Sequence, residues 1–472
     1  MRAAGVILLS GLIAAPVAAQ SAAQLSQGTK RYVSVEGPVV ALEHVRVVDG
    51  TGKAPVDDQT VVIANGRIQS VGPAASAAIP AGATRLDLKG HTVLPGYVGL
   101  HDHTFYTTSQ RGIQGNFTSP LLYLASGVTT IRTTGSFSPY HEINLKRTIE
   151  AGRLPGPRMH ITGPYLTGET GNGQMHQVMT PADARRVVAY WASEGATWLK
   201  FYTSVSRDVL RAAVDEAHKH GVKVTGHLCS VSFREAVAAG IDNLEHGLFV
   251  NTDYDPDKKP DACPDGSRAK LGDLDLESDA VKATFREMLA RKVPMTSTLA
   301  VYELYVPNRP PLEQRMLEAM SPEVRAEYLA SRARLAEPGA SAISPEIFRK
   351  AQDYEVAFVR AGGLLGAGVD PTGNGGALPG FGDQRNYELL IESGFTPVEA
   401  IQIMSLNGAK ILGVDKDLGS VTAGKLADLI VIDGDPVTTP ADIRKVVTVF
   451  KDGVGYDSER MIDAVRGLVG VR

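Results

Sequence analysis

The feature that most constrains the fold is a strand–helix–strand repeat in the middle of the chain. Residues 196–201 have the pattern of a strand, Ser206 caps a helix that Gly221 stops, and residues 222–226 form the next predicted strand. A shorter helix leads to a third strand at 241–245. Strands joined in this way are parallel and have right-handed crossovers.

Eight segments of this strand type occur in the middle of the chain. They lie near residues 97–101, 127–132, 158–162, 196–201, 222–226, 241–245, 293–298 and 364–369. Eight parallel strands with intervening helices predict an α/β fold, a closed (β/α)8 TIM barrel over residues 96–411. Residues 251–275 predict a long loop after strand six, and residues 302–350 predict a helical insertion after strand seven.

Both ends of the chain have a different, β-rich pattern. Valine-rich segments follow one another over residues 30–95, with Asn65-Gly66 as a hairpin turn. The pattern returns over residues 412–472, where residues 429–432 are Leu-Ile-Val-Ile. Because each part is small for a stable core of its own, we expect one small β-sandwich domain built from both chain ends.

Residues 1–19 have the pattern of a secretory signal peptide. Arg2 is the only charge, the run from Val6 to Ala15 is apolar, and small residues precede a cleavage position ahead of Gln20. The apolar run is too short to span a membrane as a helix. We therefore expect an exported protein, periplasmic or secreted; the alternative is a disordered apolar N-terminus.

The composition is that of an ordinary globular protein. The chain is 43% hydrophobic and 21% charged with a net charge of −4, so no basic field points to nucleic acid. No later run is long and apolar enough for a membrane span. Cys229 and Cys263 could pair in an exported protein, but two cysteines are no disulfide framework, and we expect Cys229 to be a small buried residue.

Six side chains able to bind a metal or transfer a proton fall at predicted strand ends. His101 and His103 end strand one and, being two residues apart, point the same way. The others end strands four, five, six and eight: Lys200, His227, His246 and Asp370. All strand ends of a barrel meet at one face, which carries the chemistry. Each residue alone is usually a capped or solvated polar group, but the six together predict a metal centre.

Lys200 must be neutral or chemically changed to join such a centre. A protonated ammonium beside divalent cations is repelled, because like charges disfavour the charged form. A neutral amine can add carbon dioxide and become a carbamate, an anionic oxygen ligand able to bridge two metals. Residue spacing alone does not show this step.

The order and strand positions of the candidate ligands resemble the amidohydrolase superfamily: His101-Asp102-His103, Lys200, His227, His246 and Asp370. The similarity covers nearly the whole mature chain, including the split β domain. Two motifs are similar to the branch that holds imidazolonepropionases and prolidase-like (Xaa-Pro dipeptidase-like) enzymes: Glu245-His246-Gly247 and Gly156-Pro157-Arg158. Lys200 favours the two-metal, dipeptidase-like members, because imidazolonepropionase-type enzymes usually lack that lysine and hold one metal.

The resemblance implies a binuclear metal centre. One divalent ion would bind the strand-one histidines and Asp370. The other would bind His227 and His246, and carbamylated Lys200 would bridge the two. A hydroxide between the metals would be the nucleophile, because metals lower the pKa of water towards 7, and Asp370 would pass its proton to the leaving amine. Zinc suits these ligands; a small-molecule or dipeptide substrate and a homo-oligomer are also expected.

Other residues could contribute to the site. Tyr202, two residues after Lys200, could donate to a substrate carbonyl or pack between strand and helix. His176, on the predicted loop after strand three, could touch substrate or be a plain surface residue. His218 and His220 lie at a helix C-terminus, where cationic side chains favour the dipole, and we interpret them as structural.

The sequence departs from the resemblance near the site. Gly368-Val369-Asp370 stands where relatives often have Gly-Thr-Asp, and no glycine-rich loop follows Lys200. These departures concern the substrate rather than the chemistry. We predict a metal-dependent hydrolase of carbon–nitrogen bonds, acting on an amide or peptide bond of a dipeptide or N-acyl amino acid. The alternatives are a cyclic amide or imide hydrolase, a deaminase, and a binding protein that keeps the barrel without catalysis.

Overall fold

The computed structural model describes residues 19–171, 173–340 and 343–471, so the predicted signal peptide, except for Ala19, lies outside the described residues. The strands, in chain order, are β1 (Val33–Val35), β2 (Val39–Val47), β3 (Val56–Ala64), β4 (Arg67–Pro73), β5 (Thr84–Asp87), β6 (His91–Pro95), β7 (Tyr97–Asp102), β8 (Phe105–Thr107), β9 (Gly112–Gln114), β10 (Val128–Thr133), β11 (Arg158–His160), β12 (Thr162–Thr167), β13 (His176–Gln177), β14 (Trp198–Phe201), β15 (Lys223–Gly226), β16 (Asn243–Glu245), β17 (Met295–Ser297), β18 (Leu365–Ala367), β19 (Leu429–Asp433), β20 (Val446–Lys451) and β21 (Val454–Asp457).

The helices alternate with the strands in the middle of the chain. In chain order they are α1 (Gln27–Lys30), α2 (Thr118–Ala125), α3 (Pro139–Glu150), α4 (Pro181–Ser193), α5 (Arg207–Lys219), α6 (Phe233–Ala239), α7 (Asp279–Ala290), α8 (Leu299–Glu303), α9 (Gln314–Ala319), α10 (Pro322–Leu335), α11 (Pro345–Arg360), α12 (Phe381–Ser393), α13 (Pro397–Gln402), α14 (Gly408–Leu412) and α15 (Ser458–Asp463). Within the described ranges, none of them has the length and apolar character needed to cross a membrane.

Both chain ends contribute to one nine-stranded sheet, in the order β1-β21-β20-β19-β6-β2-β3-β4, with β5 beside β2. Strand β2 pairs with β5 over residues 40–43 and with β6 over residues 46–47. Between these stretches His44 has a φ of +60° and the register shifts, as in a β-bulge. The sequence predicted a small β-sandwich domain built from both chain ends, and the structure shows that both ends contribute to one hydrogen-bonded sheet in which β2 changes partner along its length.

An ion bridge joins this sheet to the middle of the chain. Arg158, at the start of β11, donates to Asp428 at 2.8 Å and to Asp452 at 2.6 Å. The backbone N–H of Asp452 in turn donates to the Asp428 carboxylate at 2.8 Å, so the two acceptors of Arg158 are held together. The bridge orients the end sheet against the parallel strands.

The middle strands form two parallel sheets, in the orders β11-β10-β7 and β13-β12-β14-β15-β16-β17-β18. The sheets meet at two places. Ile161 alone separates β11 from β12, and the Asp370 N–H, beyond the end of β18, donates to the carbonyl of His101 in β7 at 2.8 Å. Parallel strands with intervening helices confirm the α/β class. The predicted helix after Ser206 is α5, whose first turn Ser206 caps.

Strand three differs from its prediction, which ended at residue 162. It is broken at Ile161 and then continues as β12 to Thr167. Gly163 and Pro164 favour a strand end in sequence, but here the register between β12 and β14 shifts between Thr162 and Tyr165, and that irregularity accommodates them.

The predicted insertion after strand seven is helical and packs on the C-terminal end of the chain. Met316 of α9 and Tyr328 of α10 share a buried cluster with Met461 of α15 and Val465. The predicted loop after strand six contains a 3₁₀ segment at Ser267–Asp273.

Candidate metal centre

The two histidines at the end of β7 are buried and held by their outer ring nitrogens. His101 Nδ1 donates to Glu245 Oε2 at 2.8 Å, and His103 Nδ1 donates to the Gly135 carbonyl at 3.1 Å. Because each Nδ1 carries the proton, each Nε2 is unprotonated and presents a lone pair. The two Nε2 atoms lie 3.6 and 3.4 Å from the two carboxylate oxygens of Asp370.

His246 and His227 complete a cluster of four imidazoles. His246 Nδ1 bonds Thr298 Oγ1 at 2.7 Å, while His246 Nε2 is buried and has no hydrogen-bond partner among the described residues. The His246 ring centroid lies 4.4 Å from that of His101 and 4.3 Å from that of His227. These contacts bring strands one, five and six to one point.

The backbone is strained at two of these positions. His246 has a φ of +67° and Asp370 a φ of +49°, in the left-handed region that a Cβ makes unfavourable. Such conformations persist only where the surrounding structure over-determines them, and they concentrate at functional sites.

Lys200 lies on β14 with only 1% of its surface exposed. Its Nζ is 3.4 Å from His101 Nε2. Burial lowers the pKa of Lys200 to about 8, against the attraction of Glu245 and Asp370. A neutral amine is therefore accessible near physiological pH, which is the form that adds carbon dioxide.

The pKa values of these side chains favour the protonation states in which they bind a metal. Burial lowers the pKa of His101 to about 4 and holds the pKa values of His227 and His246 well below their usual range. Burial opposes ionisation of Asp370, but His101, His103 and Lys200 hold its pKa well below the usual range. At neutral pH the imidazoles are thus neutral and Asp370 is a carboxylate.

The sequence predicted the ligands but missed the groups that orient them. Glu245, fully buried, accepts hydrogen bonds from Arg132 Nη2, Thr225 Oγ1 and Asn243 Nδ2 in addition to His101. Burial raises the pKa of Glu245, but Arg132 and His101 outweigh it and keep the pKa well below its usual range. Carboxylates behind metal-binding histidines fix ring orientation and raise ligand basicity. The one signal in the sequence for such an orienting carboxylate is that Glu245 directly precedes the candidate ligand His246.

The donor set fits a divalent cation. One ligand atom from each of His101, His246 and Asp370 lies within 4.8 Å of the others. Divalent transition metals in proteins are commonly bound by imidazole rings and carboxylates. The ring nitrogen that does not bind the metal is usually hydrogen-bonded, as Nδ1 is here. The structure brings all six predicted ligands together, and a candidate metal site is present.

The structure places Tyr202 beside the cluster and His176 away from it. The Tyr202 ring lies 4.7 Å from the His227 ring, and burial raises the pKa of its phenol to about 12, so that it remains a donor. His176 is exposed on β13, which pairs with the end of β12 at Leu166. His218 bonds Asp242 at 2.9 Å on the surface, a structural contact.

An aromatic wall, defined as Phe105, Phe137 and Tyr165, lines the His103 side. Phe105 stacks on the His103 ring at 4.5 Å, and Phe137 lies 4.6 Å from Phe105 and 5.2 Å from Tyr165. Tyr165 Oη is 3.2 Å from His103 Nε2. The sequence missed Tyr165 because strand three was expected to end at residue 162.

Cys229 is not the small buried residue that the sequence predicted. It is half-buried and forms a disulfide with Cys263. The bond fastens the loop after strand six to the end of β15, two residues beyond His227.

The family model described as the amidohydrolase family matches residues 92–256 and 366–455, more than half of the chain. The chain belongs to the amidohydrolase family. Segments of this amidohydrolase are similar to curated imidazolonepropionases: 48% identical over 48 residues in Shewanella frigidimarina and 31% over 102 residues in Stenotrophomonas maltophilia. The matches cover 10% and 20% of this chain, and only 11% and 25% of those relatives.

Solved structures resemble this amidohydrolase over most of its length. A prolidase-like protein from Bifidobacterium longum is 25% identical with a TM-score of 0.63, covering 90% of this chain and 98% of that one. A Xaa-Pro dipeptidase with bound methionine in its active site is 20% identical with a TM-score of 0.66, covering 89% and 100%. The similarity to the Xaa-Pro dipeptidase shows a shared fold alone. Neighbours of this superfamily have a TIM barrel with a small sheet domain.

Proposed function

We propose that the protein is a metal-dependent amidohydrolase that cleaves the amide bond of a dipeptide or an N-acyl amino acid. The observation that carries the proposal is the convergence of buried imidazole Nε2 atoms on Asp370, with Lys200 at 3.4 Å from one of them. The prolidase-like structural neighbours support the class of substrate.

Two divalent ions, with zinc as the ion that suits the ligands, would be held by six side chains: His101, His103, Lys200, His227, His246 and Asp370. Lys200 would act as its carbamate, formed when the neutral amine adds carbon dioxide and releases one proton. When bound, the ions lower the pKa of water and polarise the scissile carbonyl.

The chain's own residues orient the reactants and move the proton. Asp370, ionised at neutral pH, accepts a proton from the attacking water at a carboxylate oxygen and donates it to the leaving nitrogen. Glu245 keeps the His101 proton on Nδ1. Tyr202, protonated and next to His227, donates to the substrate carbonyl.

Two further features belong to this proposal. The parallel strands close into a barrel, supported by the Asp370–His101 backbone bond that joins the outer edges of the two sheets. The protein is exported, supported by the Cys229–Cys263 disulfide, since such bonds persist in oxidising compartments.

A second candidate is hydrolysis of a cyclic amide or deamination. Short segments of the chain match imidazolonepropionases, and a 72-residue segment is 38% identical to an adenine deaminase of Rubrobacter xylanophilus. The same metal centre could act on either type of carbon–nitrogen bond, so a substrate panel separates the candidates.

The test measures metal content and turnover together. We expect about two divalent ions per chain and release of an amino acid from dipeptides or N-acetyl amino acids, identified by mass. Lys200→Ala should lower the metal content, whereas Lys219→Ala, an exposed lysine on α5, should not. A single tight ion that persists in Lys200→Ala contradicts the binuclear centre. Turnover of cyclic imides or adenine alone contradicts the dipeptidase-like substrate.

A further inference from the structure

A cavity of about 330 Å³ opens beside His227. Its lining includes Thr203, His227, both cysteines of the Cys229–Cys263 disulfide and Arg268. His227, a member of the candidate metal centre, and Arg268 therefore line the same cavity.

Arg268 is linked to the centre through one aromatic ring. Its guanidinium carbon lies 5.5 Å from the centroid of the Tyr302 ring, and the Tyr302 ring lies 5.5 Å edge-on from the His246 ring. A stacked guanidinium keeps its N–H edge available for a planar anion. The disulfide holds Cys263, five residues earlier, and so limits how far the loop that carries Arg268 can move.

Arg268 differs from the neighbouring cations in having no matched anion. Arg207 pairs with Asp261 at 3.0 Å, and Lys270 pairs with Asp255 at 2.9 Å. Within the described residues no carboxylate pairs with Arg268, whose one recorded hydrogen bond is a long 3.5 Å contact from Nε to the Phe249 carbonyl. A cation left unpaired in the lining of a cavity is suited to bind an anionic group of a ligand.

We propose that Arg268 binds the free carboxylate of the substrate, so that the enzyme selects N-acyl amino acids or dipeptides over neutral amides. The inference rests on the proposed function and adds the specificity-determining residue. Arg268 acts on binding and positioning of the substrate, and the centre described above performs the reaction.

The test compares each of three N-acetyl amino acids (phenylalanine, leucine and proline) with its N-methylamide, which has a similar shape without the charge. We expect metal-loaded wild-type protein to prefer the carboxylates by about tenfold or more in kcat/KM, mainly through KM, as for hydrogen bonds to charged groups. Arg268→Gln should remove the preference and Arg268→Lys should keep part of it. Arg286→Gln, which removes an exposed arginine of α7, should keep all of it.

A wild-type enzyme without this preference, or a preference that survives in Arg268→Gln, overturns the assignment. Equilibrium binding separates this outcome from failure of the proposed function. In an Asp370→Asn background, in which turnover is slow, calorimetry with the same compounds should show carboxylate affinity about tenfold lower after Arg268→Gln. Equal affinity overturns the role of Arg268 whether or not any compound is hydrolysed; a tenfold loss with no hydrolysis by wild type upholds it and contradicts the amide substrate.

Discussion

Two buried clusters of ionisable side chains differ in how their charges are matched. In the first, here called the ion network, Glu303 is fully buried and accepts two hydrogen bonds from Arg385, at 2.7 and 2.9 Å, and one from Arg309 at 2.7 Å. Arg385 also bonds Glu388 at 2.7 Å. In the second, the candidate metal centre, unprotonated imidazole nitrogens converge, and His246 Nε2 has no hydrogen-bond partner among the described residues.

The difference indicates that the ion network has a structural role and that the second cluster is a binding site. In the ion network each buried charge has an opposite charge at hydrogen-bond distance, so the desolvation cost is offset inside the protein. At the metal centre the protein leaves acceptor atoms together, and buried polar groups without partners cost free energy. A fold retains such a cost where a bound cation offsets it.

The largest effect is expected at the metal centre, from Asp370→Asn. The substitution keeps the size and one ligand oxygen but removes the carboxylate that accepts a proton, so kcat should fall by about 10²–10⁴-fold. Metal content should fall less, because the histidines and Lys200 remain. The measurement is kcat with the best substrate of the panel, with metal analysis and thermal unfolding. Near-wild-type kcat at full metal occupancy would show that Asp370 is not the proton shuttle.

A substitution in the ion network should lower the stability of the protein and leave its turnover nearly unchanged. Glu303→Gln leaves the buried Arg385 and the half-buried Arg309 with a neutral partner. Breaking a buried pair costs about 3–5 kcal/mol of unfolding free energy. Turnover per folded molecule should remain close to wild type. Glu392→Gln is the matched control, because that side chain is 40% exposed and exposed pairs contribute about 1 kcal/mol or less. Equal losses in the two variants, measured by urea unfolding, would remove the distinction between buried and exposed pairs.

The sequence predicted that the six candidate ligands lie together because strand ends of parallel β/α units converge by topology. That rule needs only the strand positions, which were correct to a few residues for strands one, four, five, six and eight. Asp370 lies three residues beyond β18, and the rule still placed it. The six predicted ligands therefore follow from periodicity and chain order.

The groups around the ligands do not follow from that rule. Glu245 reaches His101 across the strand ends, and Thr298 holds His246, through side-chain contacts between distant segments. Tyr165 was missed because a bulge carries strand three past Gly163 and Pro164. The Cys229–Cys263 pairing and the continuity of the end sheet likewise depend on tertiary contacts that local pattern does not record.

The smallest effect tests whether an unmatched buried imidazole has a cost away from the metal centre. His160, at the end of β11, has a buried Nε2 without a hydrogen-bond partner among the described residues. Burial, together with the positive charges of Lys146 and Arg158, lowers its pKa to about 3. Its ordinary pKa is about 6.5.

Below pH 6.5 the unfolded chain therefore binds a proton at His160 that the folded protein rejects until about pH 3. Because the unfolded state binds more protons in this window, stability falls as the pH falls, by up to about 1.4 kcal/mol per pH unit.

His160→Gln removes this contribution. The unfolding free energy of the variant, relative to that of wild type, should therefore increase as the pH decreases from 6.5. The comparison uses metal-free protein, in which both chains retain the same four site histidines and their titration cancels in the difference. His176→Gln controls for the loss of a histidine as such. A difference in unfolding free energy between wild type and His160→Gln that stays constant from pH 6.5 to 4 would show that burial does not shift the pKa of His160. The contrast between matched and unmatched buried groups would then hold at the metal centre alone.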